Sequence, residues 1–173
     1  MWKLTEAAVE DAERISALYA ESWRTAYRGL IAQHYLDRLP DTYWVQPLRA
    51  WLTDGRMNGL MLEDEKGRAM GAIIYGRSRD DGLADWGEIV SLYLLPSCAR
   101  RGGGTRLLRA ALDGLRQDGF ADIFLWSIEG NRPAEKFYLK HGFRPTEDEI
   151  EYQIGGENVR DRRWVMEHNS SAR

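Results

Sequence analysis

Glu88-Ile89-Val90-Ser91-Leu92-Tyr93-Leu94-Leu95-Pro96 runs, two residues on, into Ala99-Arg100-Arg101-Gly102-Gly103-Gly104-Thr105-Arg106-Leu107-Leu108, and this stretch decides the fold. Its first part is a nearly continuous apolar run, the pattern of a strand buried on both faces. Pro96 ends it. Leu107, Leu108, Ala111, Leu112 and Leu115 then recur at the spacing of an amphipathic helix. Between strand and helix lie three glycines and two arginines. The first amides of a helix have no internal partner and carry the positive end of its dipole. Glycines let the backbone approach an anion without a Cβ in the way, and arginines add charge and forked donors. A phosphate or pyrophosphate is the natural guest. The loop is not a P-loop, because Gly104 is followed by Thr105-Arg106 rather than Lys-Ser/Thr. It is not a dinucleotide fingerprint either, since Leu107 stands where a third Gly or Ala belongs. At this point the phosphate ligand stays open.

Working outward, residues 9–54 read as helical. Ile15, Leu18, Tyr19, Ser22/Trp23 and Ala26 form one apolar face, Ile31 to Leu39 a second helix stopped by Pro40, and Trp44, Leu48, Trp51 and Leu52 a third. Gly59–Leu62 and Met70–Tyr75 read as strands of a hairpin turning at Glu65-Lys66-Gly67. Downstream, Asp122–Ser127 is a strand, and Ala134, Phe137 and Tyr138 sit on a helix that ends near His141. Residues 143–153 and 158–167 close the chain as a hairpin around Gly155-Gly156. The order is helices, ββ, β-α-β-α, ββ, an α/β layered domain with a mixed sheet. No repeat or low-complexity linker divides it, so residues 1–173 are expected to form a single domain.

Composition narrows the function. Of 173 residues, 43% are hydrophobic and 29% charged, near globular averages. With 24 Lys+Arg against 27 Asp+Glu the formal charge is −3, and the sequence pI is near 5.7. That disfavours a nucleic-acid partner and suits a cationic substrate. The single cysteine, Cys98, permits no internal disulfide and no cysteine-based zinc site, so a reducing compartment is expected. His34, His141 and His168 lack metal-ligand spacing, and no metal is expected. Met1–Glu6 does not resemble a signal peptide, and no window approaches the roughly 20 apolar residues of a membrane span. A soluble cytoplasmic protein is the expectation, with a short polar tail, His168 to Arg173, that frays.

The glycine loop and its flanks resemble the GNAT (GCN5-related N-acetyltransferase) superfamily. That family's central motif is a strand, a Gln/Arg-x-x-Gly-x-Gly/Ala loop and a helix, matched here by Glu88–Pro96, Ala99–Gly104 and Thr105–Leu108. A second family segment, a strand followed by Asn and an aromatic-rich helix ending in Gly-Phe, appears as Phe124 to Phe143 with Asn131, Tyr138 and Gly142 in place. The resemblance implies a mostly antiparallel mixed central sheet flanked by helices. It also implies an acyl-CoA site, most often for acetyl-CoA. Pyrophosphate would sit on Arg101, Gly102, Gly103, Gly104 and Thr105 with Arg100 beside them. Pantetheine would run along Leu92, Tyr93 and Leu94, and Asn131 and Ala134 would complete the cofactor contacts. Ala99 departs from the family's usual Gln or Arg, which bears on affinity.

Transfer to an amine requires loss of a proton from nitrogen. A lysine-like amine has a reference pKa near 10.4, so only about one in 10³ is neutral at pH 7, and a general base is useful. Glu88 opens the central strand beside an apolar run and resembles the glutamate many members carry there, making it the candidate base, with Ser91 as an alternative relay. Tyr138 matches the family's acid for the leaving thiolate, and the Leu94 amide is the oxyanion donor by analogy. Cys98 has no neighbouring His in sequence to support a nucleophilic role.

For the acceptor, Glu21–Leu30 and His34–Asp37 resemble a bacterial subgroup that includes PaiA-like polyamine acetyltransferases, with Trp23, Tyr27 and Tyr35 as candidate walls of an amine slot. The resemblance implies a small primary amine, polyamine-like in that subgroup, as acceptor. A protein or peptide amine is the alternative acceptor, and a CoA-binding partner module without turnover the alternative class. Dimers are common in the family, which makes a homodimer the default.

Overall fold

The structure, a computed structural model, describes residues 1–168; the tail expected to fray lies, from 169 onward, outside the described residues. In chain order the elements are β1 (Lys3–Glu6), α1 (Ala12–Ala26), α2 (Gln33–Arg38), α3 (Val45–Thr53), β2 (Met57–Glu63), β3 (Ala69–Arg77), β4 (Gly87–Leu94), α4 (Gly103–Gln117), β5 (Ile123–Ile128), α5 (Arg132–Lys140), β6 (Arg144–Ile154) and β7 (Glu157–Met166). The strands form one sheet in the order β1-β2-β3-β4-β5-β7-β6. Its neighbours are antiparallel except β4 and β5, which run parallel. The expected fold class holds.

Alternation along β3 splits the core into two layers. Ile73 and Tyr75 face α4, packing with Leu107, Leu108, Ala111 and Leu115. Ala72 and Ile74 face α1 and α3, packing with Ile15, Leu18, Tyr19 and Leu48. The hairpin from β6 to β7 turns on Gly155 and Gly156, with φ of 62° and 83°. Two successive positive φ values are what a two-residue hairpin turn demands, and glycine adopts them without strain.

Two sequence expectations change. β1 was not foreseen: four residues with exposed ends carry no pattern, and the strand exists because Lys3–Glu6 pairs with Leu60–Glu63. The second concerns β4, where the apolar run is buried only over Gly87–Ile89, while Val90–Leu94 stays half-exposed. Parallel pairing with β5 ends at Ile89↔Leu125, and the register with β3 skips Val90. A bulge of this kind bends and twists a strand. Past it β4 and β5 separate, and the apolar side chains line a cleft instead of a core.

Candidate active site

The cleft begins at the glycine loop. Arg100 has φ 59° and Gly102 φ 83°, so the chain passes twice through the left-handed region before α4 starts. No side chain caps this helix. Among the described residues, none accepts a hydrogen bond from the amides of Arg101 through Thr105. The donors are therefore presented together at a helix N-terminus, the arrangement that binds phosphate oxygens. Gly103 is required by packing: a Cβ there would lie 2.7 Å from Leu94 Cδ2 and 2.9 Å from Trp2 Cζ3. Trp2 also carries the Arg101 guanidinium 5.0 Å above its ring, and its carbonyl accepts from Arg106 Nη1 at 2.6 Å. Thr105 Oγ1 is 3.1 Å from His141 Nε2, and His141 Nδ1 is 2.8 Å from the Phe137 carbonyl. That carbonyl can only accept, so Nδ1 donates to it, and in the neutral ring Nε2 accepts from Thr105.

From the loop the cleft runs between the separated strands. A cavity of about 220 Å³ is lined by Val90–Leu94 of β4, Leu125–Ser127 of β5, and Asn131, Ala134 and Tyr138. Asn131 caps α5, its Oδ1 accepting from the Ala134 amide at 3.4 Å. Ser22 of α1 donates to the Leu94 carbonyl at 2.8 Å, tying α1 to the cleft edge. Tyr138 is buried and lines this cavity; burial drives its phenol well above the ordinary value, and Tyr93 adds to the shift. The phenol stays protonated at physiological pH, able to donate a hydrogen bond.

On the α1 side of the sheet a second cavity, of about 380 Å³, shares Tyr27, Val90, Ser91, Tyr93 and Trp126 with the first. Its walls are aromatic. Trp23 sits 4.8 Å from Trp44 and 4.9 Å from Tyr27, centroid to centroid. The Tyr27 and Tyr93 hydroxyls are 3.1 Å apart, and the Tyr19 hydroxyl is 2.5 Å from Ser91 Oγ. Burial raises the pKa of Tyr19, Tyr27 and Tyr93 alike. Asp161 of β7 faces this cavity, accepting one hydrogen bond, from the Tyr152 hydroxyl at 3.1 Å. Burial also raises the Asp161 pKa, with the Tyr152 bond opposing. Glu88 lies in an adjoining arm, only 3% exposed. Both its oxygens are held by Arg79, through the backbone amide at 2.9 Å and Nη2 at 2.6 Å.

The model of the acetyltransferase (GNAT) family matches residues 7–143 of the chain. The chain belongs to the GNAT acetyltransferase family. It is thus an acyl-CoA-dependent N-acyltransferase, with the cleft just described on its strand-loop-helix motif. The uncharacterized N-acetyltransferase YuaI of Bacillus subtilis is 32% identical over 152 residues, 87% of this chain and 86% of that protein. A spermidine N(1)-acetyltransferase of Thermoplasma acidophilum is 23% identical over 143 residues, covering 82% of this chain and 88% of its own. Among solved structures, the PaiA N-acetyltransferase of Thermoplasma acidophilum in complex with coenzyme A superposes with a TM-score of 0.74 at 20% identity, over 93% of this chain and 98% of that one. That similarity shows a shared fold.

The structure brings Leu92, Tyr93, Leu94, Asn131, Ala134 and Tyr138 to one cavity, with the Arg100–Thr105 loop at the adjacent helix start. It puts Trp23 on the second cavity and Tyr27 on both. Tyr35 is placed elsewhere: it packs against the hairpin turn, where a Cβ on Gly155 would lie 2.8 Å from its own. Sequence reasoning missed Trp2, Trp44, Arg79, Trp126, Tyr152 and Asp161. The apolar-polar alternation of the closing hairpin (Ile150, Tyr152, Val159, Asp161) was legible, but nothing local showed what its inner face meets. Among the described residues, no three His, Cys, Asp or Glu cluster as metal ligands, and no helix is long and apolar enough to cross a membrane.

Proposed function

We propose that this protein moves an acetyl group from acetyl-CoA directly to the primary amine of a small molecule. The observation that carries this reading is a pair of joined cavities: one, lined by Tyr138 and by Leu94 beside Gly103 and Gly104, shares Val90, Ser91 and Tyr93 with an aromatic-walled second. The amides and the cradle at Gly103 suit a pyrophosphate, with Arg100 and Arg101 adding positive charge. Bound there, acetyl-CoA supplies the acyl carbonyl and a thiol leaving group. Leu92–Leu94 offer a strand edge with no partner on the β5 side, a place for the extended arm of the donor. Tyr138 donates a hydrogen bond to sulfur as negative charge develops there. Glu88 holds the position of the family base; because Arg79 occupies both its oxygens, it draws a proton through solvent, not by direct contact. A peptide amine is the competing acceptor.

Thermal unfolding with acetyl-CoA, CoA, ATP and NAD, each at millimolar concentration, tests the donor. A ligand at 100 times its dissociation constant stabilises by about 2.7 kcal/mol, and at roughly 2–4 °C per kcal/mol the shift is about 5–10 °C. Shifts with the CoA species alone, followed by amine-dependent release of free thiol, are expected. Absence of any shift with either CoA species would overturn the assignment.

A further inference from the structure

Carboxylates around the acceptor cavities fall into two kinds. In the arm beside β4, each is matched by an arginine: Glu88 with Arg79 at 2.6 Å, Asp80 with Arg163 at 2.9 Å, Asp148 with Arg163 at 3.4 Å and Glu149 with Arg162 at 2.6 Å. Asp161 has no such match; among the described residues its sole hydrogen-bond donor is the neutral Tyr152 hydroxyl. β7 registers Asp161 against Ile128 of β5 on one side and Ile150 of β6 on the other, so its immediate strand neighbours are apolar. The titratable groups facing it are Tyr152 from β6, Tyr93 from β4 and Tyr27 from the end of α1. Arg79 shares the cavity, with its charge committed to Glu88. A half-buried carboxylate with no cationic partner is costly in the folded state, and a cation delivered by a ligand relieves that cost. The indoles of Trp23 and Trp44 line the same space and favour cations and flat apolar groups together, while the Trp126 ring already carries the Arg163 guanidinium at 4.7 Å.

We propose that Asp161 receives the reacting ammonium, and that the acceptor is a primary amine with a single positive charge on a flat apolar body. This rests on the acetyl-transfer reading and narrows it: a polyamine would bring further ammonium groups into a space whose other carboxylates are already paired. With the ammonium held at Asp161, one proton leaves the nitrogen through solvent to Glu88 and on to bulk, giving a neutral amine. The nitrogen lone pair forms the N–C bond and the C–S bond breaks, its electron pair leaving on sulfur. The second proton lost from nitrogen ends on that sulfur, so amide and thiol form with one proton released.

The test compares the wild type with Asp161→Asn, which keeps the shape and the Tyr152 hydrogen bond. Initial rates are measured with phenethylamine and with spermidine, and binding of the non-acylatable phenethyltrimethylammonium is followed by tryptophan fluorescence. Phenethylamine is expected to be the better substrate. Asp161→Asn is expected to raise its KM about tenfold or more, the effect of losing one charged hydrogen bond, with the KM for acetyl-CoA unchanged. The variant is also expected to unfold at a higher temperature at pH 7, a gain that fades as pH falls and the wild-type carboxylate protonates. Preference for spermidine, or a variant within twofold of wild type on phenethylamine, would overturn the proposal. So would a variant that loses stability along with binding, which marks a structural residue. If no amine is acetylated, the acetyl-transfer reading fails, and the quaternary probe still decides the cation site: binding weakened by Asp161→Asn upholds it, and no binding to the wild type refutes it.

Discussion

Glu88→Gln separates what Glu88 holds from what it catalyses. In the folded protein its carboxylate is 3% exposed and accepts from the Arg79 amide at 2.9 Å, from Nη2 at 2.6 Å and from Nε at 3.2 Å. The Arg79 side chain is 47% exposed and lies 5.4 Å over the Trp51 ring. Removing one partner of a fully buried pair costs about 3–5 kcal/mol, because the other charge is stranded. Here the stranded charge in Glu88→Gln is the half-exposed guanidinium, which water can reach, so the cost falls to that of charged hydrogen bonds, about 1.5–3 kcal/mol. For a chain of this size that is roughly 3–12 °C in Tm. Arg79→Met strands the buried member instead and should cost more, about 3–5 kcal/mol. In the double variant Glu88→Gln, Arg79→Met neither charge remains, and the two losses should overlap by more than about 1 kcal/mol. Urea unfolding of the four proteins, followed by tryptophan fluorescence at pH 7, gives the cycle. The pH dependence of kcat/KM on the same samples gives the catalytic share. Glu88→Gln within about 0.5 kcal/mol of wild type, or Arg79→Met as the milder change, would refute this reasoning. A profile unmoved in Glu88→Gln would remove Glu88 as the base while leaving its hold on Arg79 intact.

Two further perturbations bear on the donor side. Tyr138→Phe should lower kcat by about 10²–10⁴ while the thermal shift with acetyl-CoA persists, since the hydroxyl lines the cavity without bracing the fold; unchanged turnover would exclude it as acid. Arg100→Gly relieves a non-glycine residue at φ 59° and should raise Tm in the absence of ligand, by a stabilisation of about 1 kcal/mol. It should also weaken acetyl-CoA binding and flatten its salt dependence, one cation having been lost; a drop in stability would show that the Arg100 side chain has a structural role.

Much of the fold is written locally. The apolar run at Glu88–Leu95, the glycine loop and the helical spacing from Leu107 to Leu115 each announce themselves within a few residues, because strand, turn and helix are short-range choices of backbone and side-chain period. The proposed donor residues Arg100–Thr105, Asn131 and Tyr138 lie on that same framework. The acceptor half did not. The apolar letters of β4 read as core, yet their burial depends on how far β5 stays paired, and that pairing ends at Ile89. Trp2 supports a loop a hundred residues away through one ring and one carbonyl. Asp161 looks like one more charge in Arg160-Asp161-Arg162-Arg163, a segment any solvated strand could carry. Register decides otherwise: the arginines at 160 and 162 turn to one face of β7, and Asp161 turns to the other, against Ile128, Ile150 and Tyr152. The sequence alone determined most of the segments that become strand, loop and helix, though not β1, and nominated the glycine loop as a place for an anion. Which charges are left without a partner was decided by tertiary structure, because burial and pairing are properties of neighbours brought together from distant parts of the chain.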